Sequence, residues 1–95
     1  MKEITEEKLK KYFSVTRRAL DILKIAPPKK TPLYAIAKDY LQMATNYFKD
    51  AVHFKEKGDY VNAFASLNYS HGWLDAGARI GLFDVNHDST LFTVD

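Results

Sequence analysis

The sequence contains no cysteine. A disulfide framework, a thiolate zinc site and a cysteine nucleophile are therefore all excluded. No apolar run approaches the ~18 residues that a membrane-spanning helix needs, and residues 1–11 are too charged for the apolar part of a signal peptide. We therefore expect a cytoplasmic protein with no membrane partner.

Glycine and proline are also scarce, with four and three copies in 95 residues. Because these residues interrupt helices, their scarcity leaves only two breaks in the helical pattern, at residues 26–32 and at Gly58. Elsewhere apolar residues recur at three- and four-residue spacing, which is the period of an amphipathic helix. The pattern predicts helices over about residues 5–25, 32–57 and 59–82.

Side chains at the two breaks indicate where helices begin and end. Thr31 can cap a helix whose first residue is Pro32, while Gly58 suits the left-handed position after a helix and Asp59 can cap the next one. A connection this short requires the second and third helices to be antiparallel. The predicted fold is therefore all-α, an antiparallel up-down-up three-helix bundle with a short irregular C-terminal tail.

The last residues of the chain lack the helical pattern. Residues 84–90 are rich in turn formers, and Leu91–Val94 is a short apolar run typical of a strand. A single strand has no sheet to join in a helical chain. We therefore expect the tail, residues 84–95, to fold back over the third helix or to add to a partner. The whole chain, residues 1–95, is predicted to form one domain.

The first two helices each carry one apolar stripe, which we expect to be buried. In the second helix this stripe includes Leu33, Ile36, Tyr40 and Tyr47. Lys24 falls in the last predicted turn of the first helix, where a positive charge complements the helix dipole.

The third helix is apolar on two opposite faces, a pattern typical of a helix buried on both sides. Three helices cannot cover the second face, so either a partner or the tail is expected to cover it. Glycine inside a helix costs up to ~1 kcal/mol relative to alanine, and the close approach of another backbone is a reason for it. The candidate interface residues are Tyr69, Gly72, Trp73, Ala76, Gly77 and Ile80. They favour a non-enzymatic protein-interaction module or a homodimer.

Charge is unevenly distributed along the chain, although the net charge is only +2. Residues 1–38 contain ten basic and four acidic side chains, whereas the residues from 59 onward contain one basic and five acidic ones. A basic first helix can contact phosphates, so the alternative function is an RNA or other nucleic-acid accessory protein. Its candidate residues are Lys10, Lys11, Arg17, Arg18, Lys29 and Lys30. They do not lie on a single helix stripe, and a solvated face also explains them without a ligand.

A second alternative function rests on polar residues of the third helix. His71, Asp75 and Arg79 can form a small polar site, or else a surface ion pair beside a hydrogen-bonded core histidine. The first arrangement would serve a small-molecule binder or an enzyme. The sequence offers no nucleophile, paired carboxylates or glycine-rich phosphate loop to complete such a site, so we assign no catalytic residue and no cofactor.

A metal site in the tail is the last possibility that the sequence raises. Asp84, His87 and Asp88 lie close together there. Their spacing does not match the histidine and carboxylate patterns of metal-binding helices, and turns commonly contain solvated residues of these types. We therefore predict no metal site.

The stretch Leu67–Phe83 is the most distinctive part of the sequence, and its core reads Gly-Trp-Leu-Asp-Ala-Gly from Gly72 to Gly77. With Gly58-Asp59-Tyr60 and a basic first helix that ends in prolines, it resembles the archaeal domain of unknown function family 357. The resemblance spans roughly Leu9 to Phe83. It implies an all-helical three-helix bundle in the archaeal cytoplasm, and it implies no activity and no catalytic residues.

Overall fold

The computed structural model describes residues 4–86 and 88–92. Within them the chain forms three helices and a small two-stranded ribbon, in the order α1 (Glu6–Ile22), β1 (Lys24–Ile25), α2 (Pro32–Glu56), α3 (Tyr60–Arg79) and β2 (Phe83–Asp84). The helices pack against one another, and α3 contacts both α1 and α2. The all-α three-helix bundle is thereby confirmed.

Each helix begins at a side-chain cap. The oxygens of Thr5, Thr31 and Asp59 accept hydrogen bonds from the backbone amides three residues later, at 3.1, 3.2 and 3.1 Å. These bonds satisfy amides that have no partner inside the helix. Between α2 and α3, Gly58 adopts the left-handed conformation with φ +76°, which a residue without Cβ reaches at little cost. The two helices therefore reverse direction within a few residues.

The first helix ends earlier than the sequence predicted. Leu23 is already extended, and Lys24 and Ile25 pair antiparallel with Asp84 and Phe83. The expectation that Lys24 lies in the last helical turn was therefore wrong. The helix ends early because Lys24 and Ile25 pair with a strand that lies about sixty residues later in the sequence, and a local pattern does not report such a pairing.

The end of α3 also lies before its predicted position. Gly81 is left-handed with φ +84°, and the Leu82 amide donates to the Gly77 carbonyl at 2.8 Å. This bond closes the Schellman type of helix end, in which glycine follows the last helical residues. The chain then turns directly into β2.

Small residues bring α2 and α3 close together. Ala37, Ala44 and Ala51 recur every seven residues along α2 and are fully buried. Ser70 of α3 is also fully buried, and its hydroxyl donates to the Ala44 carbonyl at 2.7 Å. Because backbones that approach this closely leave no room for rings between them, the aromatic side chains of α2 lie on either side of the contact line.

Two core clusters fill the bundle. One is built on Leu9, Phe13, Ala51, Ala63 and Leu67, near the connection of α2 and α3. The other lies toward the opposite end, and its members come from all three helices, β2 and the tail: Ala19, Ala37, Ala44, Leu74, Leu82, Phe83, Val85, Leu91 and Phe92.

The described part of the tail folds back over the bundle. Leu91 and Phe92 are 4% and 2% exposed, and neither belongs to a strand. The tail thus folds back over the bundle, as one of the two expectations for it had it, and it contacts α3 at His71. The described part of the tail leaves Tyr69, on the second apolar face of α3, 63% exposed. Thr93 and Val94 lie outside the described residues.

Candidate functional site

An open aromatic groove of about 650 Å³ runs between α2 and α3. Its aromatic walls come from large residues that the close alanine contact excludes from the space between the helices, and small residues of α3 form the rest. The lining residues are Tyr40, Tyr47, Ala65, Asn68, Tyr69, Gly72, Trp73 and Ala76. We refer to this surface as the aromatic groove.

Two ring pairs fix the shape of the aromatic groove. Tyr40 and Trp73 meet edge to face, with ring centroids 5.0 Å apart and an angle of 87° between planes. Tyr47 and Tyr69 stack, at 5.3 Å and 21°. Both arrangements suit the quadrupoles of aromatic rings. Since Tyr69 remains 63% exposed, the groove presents a preformed aromatic surface to solvent.

The structure brings four of the six predicted interface residues together. Tyr69, Gly72, Trp73 and Ala76 line the aromatic groove. Ile80 caps the C-terminal end of α3 and is 62% exposed.

Gly77, the sixth predicted interface residue, does not line the groove, contrary to the expectation. It is buried, and a Cβ at this position would overlap the Phe83 ring. Gly77 therefore seats a side chain of its own chain and cannot admit a partner. By contrast, a Cβ at Gly72 would meet nothing within 4 Å.

Sequence reasoning missed the α2 side of the groove. Tyr40 and Tyr47 were expected in the core, yet both line the groove. Leu33 and Ile36 of the same stripe are 57% and 44% exposed, so the expectation that they are buried was wrong. The seven-residue repeat of alanines in α2 is the sequence signal for this arrangement, because it marks the line of close contact.

The polar residues of α3 fall into two environments. His71 faces α1 and the tail, with Nδ1 3.2 Å from the Thr16 hydroxyl and Nε2 2.6 Å from the Leu91 carbonyl. A carbonyl can only accept, so Nε2 carries a hydrogen, and in the neutral ring Nδ1 accepts from Thr16. The ring also stacks on Phe92 at 6.2 Å. His71 therefore ties the tail to α1 and α3.

Asp75 and Arg79 differ in their relation to His71. Asp75 Oδ1 lies 3.7 Å from Nε2 of His71, whereas Arg79 is exposed in the last turn of α3. A cleft of about 280 Å³ runs along this side of α3. Its lining residues are Tyr12, Val15, Thr16, Leu67, Asn68, His71, Gly72 and Asp75. The structure thus joins His71 and Asp75 in one concavity and leaves Arg79 outside its walls.

Three of the six predicted nucleic-acid residues share one depression of about 560 Å³ between α1 and α2, namely Lys10, Arg17 and Arg18. Its walls also contain Lys55 and three acids: Glu6, Asp21 and Glu56. Two of the cations cover aromatic rings, with Arg17 5.5 Å from the Phe48 centroid and Lys55 5.2 Å from that of Phe13.

The remaining nucleic-acid candidates lie elsewhere. Lys11 is an exposed residue of α1 outside the walls of this depression, and Lys29 and Lys30 are exposed in the loop before α2. The basic side chains therefore do not form one continuous stripe.

The acidic residues of the tail close their own turns. Asp84 accepts a hydrogen bond from the Asn86 amide, and Asp88 accepts from the Thr90 hydroxyl and from the Thr90 and Leu91 amides. The Thr90 hydroxyl is the largest of the influences that lower the pKa of the Asp88 carboxyl. His87 lies outside the described residues, and the rest contain no group of three side chains able to hold a metal ion.

Most of the chain, including the distinctive α3 sequence, matches a known protein family. The sequence model of the family DUF357, described as a protein of unknown function, matches residues 11–83. The chain belongs to the DUF357 family. No curated protein and no solved structure matches it significantly.

This DUF357 chain carries core residues beyond the family match. Val85, Leu91 and Phe92 follow residue 83 and belong to the second core cluster. The aromatic groove, in contrast, lies wholly within the matched region. In the described part of the chain, none of the helices has the length and apolarity needed to cross a membrane.

Proposed function

We propose that this DUF357 chain is a non-enzymatic protein-interaction module and that the aromatic groove is its binding surface. The observation that carries the proposal is a preformed aromatic surface that the described residues leave open, with Tyr69 63% exposed beside Trp73. Tyrosine and tryptophan dominate the energetic centres of protein interfaces, because they bury a large area and lose little conformational freedom.

The absence of charge on this side of α3 supports the proposal. Within α3, eight residues are exposed, and Arg79 is the only charged one. The others are Val61, Asn62, Ala65, Asn68, Tyr69, Gly72 and Ala76. A helix face that stays in water normally carries several charges, whereas the centre of an interface is depleted of them.

The two alternative functions receive less support from the geometry. Both ring nitrogens of His71 hold structural hydrogen bonds, to Thr16 and Leu91, so the ring is engaged in fixing the tail. Arg17 and Lys55 pack over aromatic rings beside three acids, which reduces the net positive charge that a phosphate backbone would meet.

We also propose that the protein acts in the archaeal cytoplasm, as the family resemblance implies. Fractionation of the native cells with a specific antibody tests this location. Recovery in the membrane or extracellular fraction would contradict it.

A capture experiment tests the binding surface. The immobilised chain is exposed to native cell extract and to labelled copies of itself, in parallel with Tyr69→Asp and Val61→Asp variants. Tyr69 is 63% exposed and Val61 is 68% exposed on the same helix, but of these two only Tyr69 lines the groove. We expect Tyr69→Asp to lose at least one bound protein that Val61→Asp retains. Equal capture by both variants contradicts the proposal.

The single tryptophan provides a direct readout of the groove. Trp73 is the only tryptophan in the chain and forms part of the groove wall. When a captured protein is added in solution, Trp73 fluorescence is expected to shift to shorter wavelength, because bound protein removes water from the indole. No spectral change at saturating partner would place the contact elsewhere.

A further inference from the structure

We propose that the occupant of this surface is a second copy of the chain, whose α3 packs antiparallel against α3 of the first about a two-fold axis between Gly72 and Trp73. The inference rests on the proposed function, because it names the partner of the same surface. The arrangement would bury the aromatic groove at the centre of a symmetric dimer.

The order of large and small residues along α3 carries this inference. In an antiparallel pair with this axis, residues equally far from the axis on either side face each other. Trp73 then meets Gly72 of the second copy, Tyr69 meets Ala76, and Ile80 meets Ala65. Tyr69, Trp73 and Ile80 thus each face a position with little or no side chain, which is the requirement for close helix packing.

Among the described residues, no atom occupies the space that a side chain at Gly72 would take. A Cβ at this position would meet nothing within 4 Å, and the residue lies in the middle of an exposed helix face. Glycine there costs the helix up to ~1 kcal/mol relative to alanine. In the dimer, the missing side chain leaves space for Trp73 of the second copy at the axis.

Charge decides between the antiparallel and the parallel arrangement. Arg79 is the only charged residue among the exposed positions of α3. At a rise of 1.5 Å per residue, the two Arg79 residues of the antiparallel pair lie about 20 Å apart along the helix axis. This distance exceeds the ~8 Å Debye length at physiological ionic strength. A parallel pair would place them side by side. Antiparallel helices also align opposite ends of their dipoles.

Four exposed apolar side chains supply a large part of the area that a dimer requires. Tyr69 and Ile80 are 63% and 62% exposed, and Leu33 and Ile36 on the adjoining α2 stripe are 57% and 44% exposed. Taking about 200 Å² for each large side chain, these four offer roughly 400–500 Å². These four side chains alone thus supply about half of the ~800 Å² that each partner of a stable interface buries.

Disulfide crosslinking tests the register, since the native chain has no cysteine to interfere. A disulfide needs Cα atoms within about 7 Å. We expect a mixture of Ala65→Cys and Ile80→Cys chains to form the mixed dimer about tenfold faster than either variant crosslinks with itself, because like positions lie more than about 20 Å apart. Lys11→Cys, exposed on α1, gives the background rate of random collision.

A side chain added at Gly72, beside the two-fold axis, tests the proposed contact between the two α3 helices without cysteine chemistry. Gly72→Leu is expected to weaken self-association at least about tenfold, as loss of a central contact typically does. Ala35→Leu is the matched control, because it adds the same side chain at an exposed position of α2 outside the groove, and it should leave self-association unchanged. Circular dichroism verifies that both variants remain helical.

Three results would overturn the inference. These are a mass of 10.9 kDa by light scattering at all concentrations up to about 1 mM, faster self-crosslinking of Ala65→Cys and Ile80→Cys than of their mixture, or equal association of the Gly72→Leu and Ala35→Leu variants. If the chain is monomeric while Tyr69→Asp still abolishes capture of another protein, only the second-copy inference fails. If Tyr69→Asp and Val61→Asp also capture the same proteins, the proposed function fails with it.

Discussion

Gly72 and Gly77 lie five residues apart in α3 and serve opposite purposes. At Gly77 the Phe83 ring, itself 3% exposed, occupies the space that a side chain would take. At Gly72 that space is open to solvent. One glycine is therefore required by the fold of the single chain, whereas the other leaves room on a surface.

Alanine substitution at these two positions should shift stability in opposite directions. Gly77→Ala introduces an overlap that costs about 1–3 kcal/mol, only partly offset by a gain of up to ~1 kcal/mol in helix propensity. Gly72→Ala gains the same propensity with no overlap. At protein concentrations low enough to keep the chain monomeric, urea unfolding monitored by circular dichroism should show a lower midpoint for Gly77→Ala and a higher one for Gly72→Ala. A shift in the same direction for both would contradict this assignment.

His71 illustrates how one residue can join three parts of the chain. Its ring reaches Thr16 of α1 and Leu91 and Phe92 of the tail from its place on α3. All buried side-chain nitrogen and oxygen atoms among the described residues have a partner. The polar groups of this interior thus hold elements together, and the side chain that the sequence offered as part of a polar site is one of them.

At the scale of elements, the tail acts as a structural part of the bundle. The Asp88 turn directs the chain so that Leu91 and Phe92 enter the second core cluster with Ala19, Ala37 and Leu74. β1 and β2 fasten the same end, and the Ala26 amide adds a further bond to the Leu82 carbonyl at 2.9 Å. The described part of the tail therefore covers the end of the bundle and leaves the aromatic groove open.

Truncating one tail residue should measure this contribution. Phe92→Ala removes a ring that is 2% exposed, and buried Phe→Ala changes cost about 3–5 kcal/mol. Leu33→Ala is the control, because Leu33 is large and apolar but 57% exposed. At protein concentrations low enough to keep the chain monomeric, chemical denaturation should show a large loss of unfolding free energy for Phe92→Ala and a loss below about 1 kcal/mol for Leu33→Ala. Similar losses would show that the tail is not part of the core.

At the scale of the whole molecule, the charged and the uncharged surfaces are separated. The basic side chains are concentrated in α1 and the loop that follows it, whereas the exposed side of α3 carries one charge. Association through α3 and association through α1 should therefore respond differently to salt, because only contacts between charges are screened.

Salt dependence distinguishes the two surfaces. Self-association through α3 is expected to change less than about threefold between 50 and 200 mM salt, whereas nucleic-acid binding through six to ten phosphate contacts would fall about 10³- to 10⁵-fold. Sedimentation velocity measures the first and fluorescence anisotropy with labelled RNA the second. Self-association that weakens steeply with salt would contradict the uncharged α3 interface.

Local features of the fold could be predicted from the sequence because they depend on neighbouring residues. Thr31, Gly58 and Asp59 determine helix ends through bonds that span only a few residues, and all three occupy the expected positions. The second apolar face of α3 was predicted in the same way, from its angular pattern. Which part of the molecule covers this face could not be predicted in that way, since the answer depends on where the tail and α2 lie in space.

Three helices and the caps of the second and third could be predicted without the structure, because helical period, capping and turn conformation are local properties. Which apolar residues are covered became clear from the packing of the helices. The alanine contact of α2 with α3 displaced Tyr40 and Tyr47 into a groove and left Leu33 and Ile36 exposed. Packing from distant parts of the chain placed Phe83 over Gly77. Burial depends on how closely whole elements approach one another, and no local pattern specifies that distance.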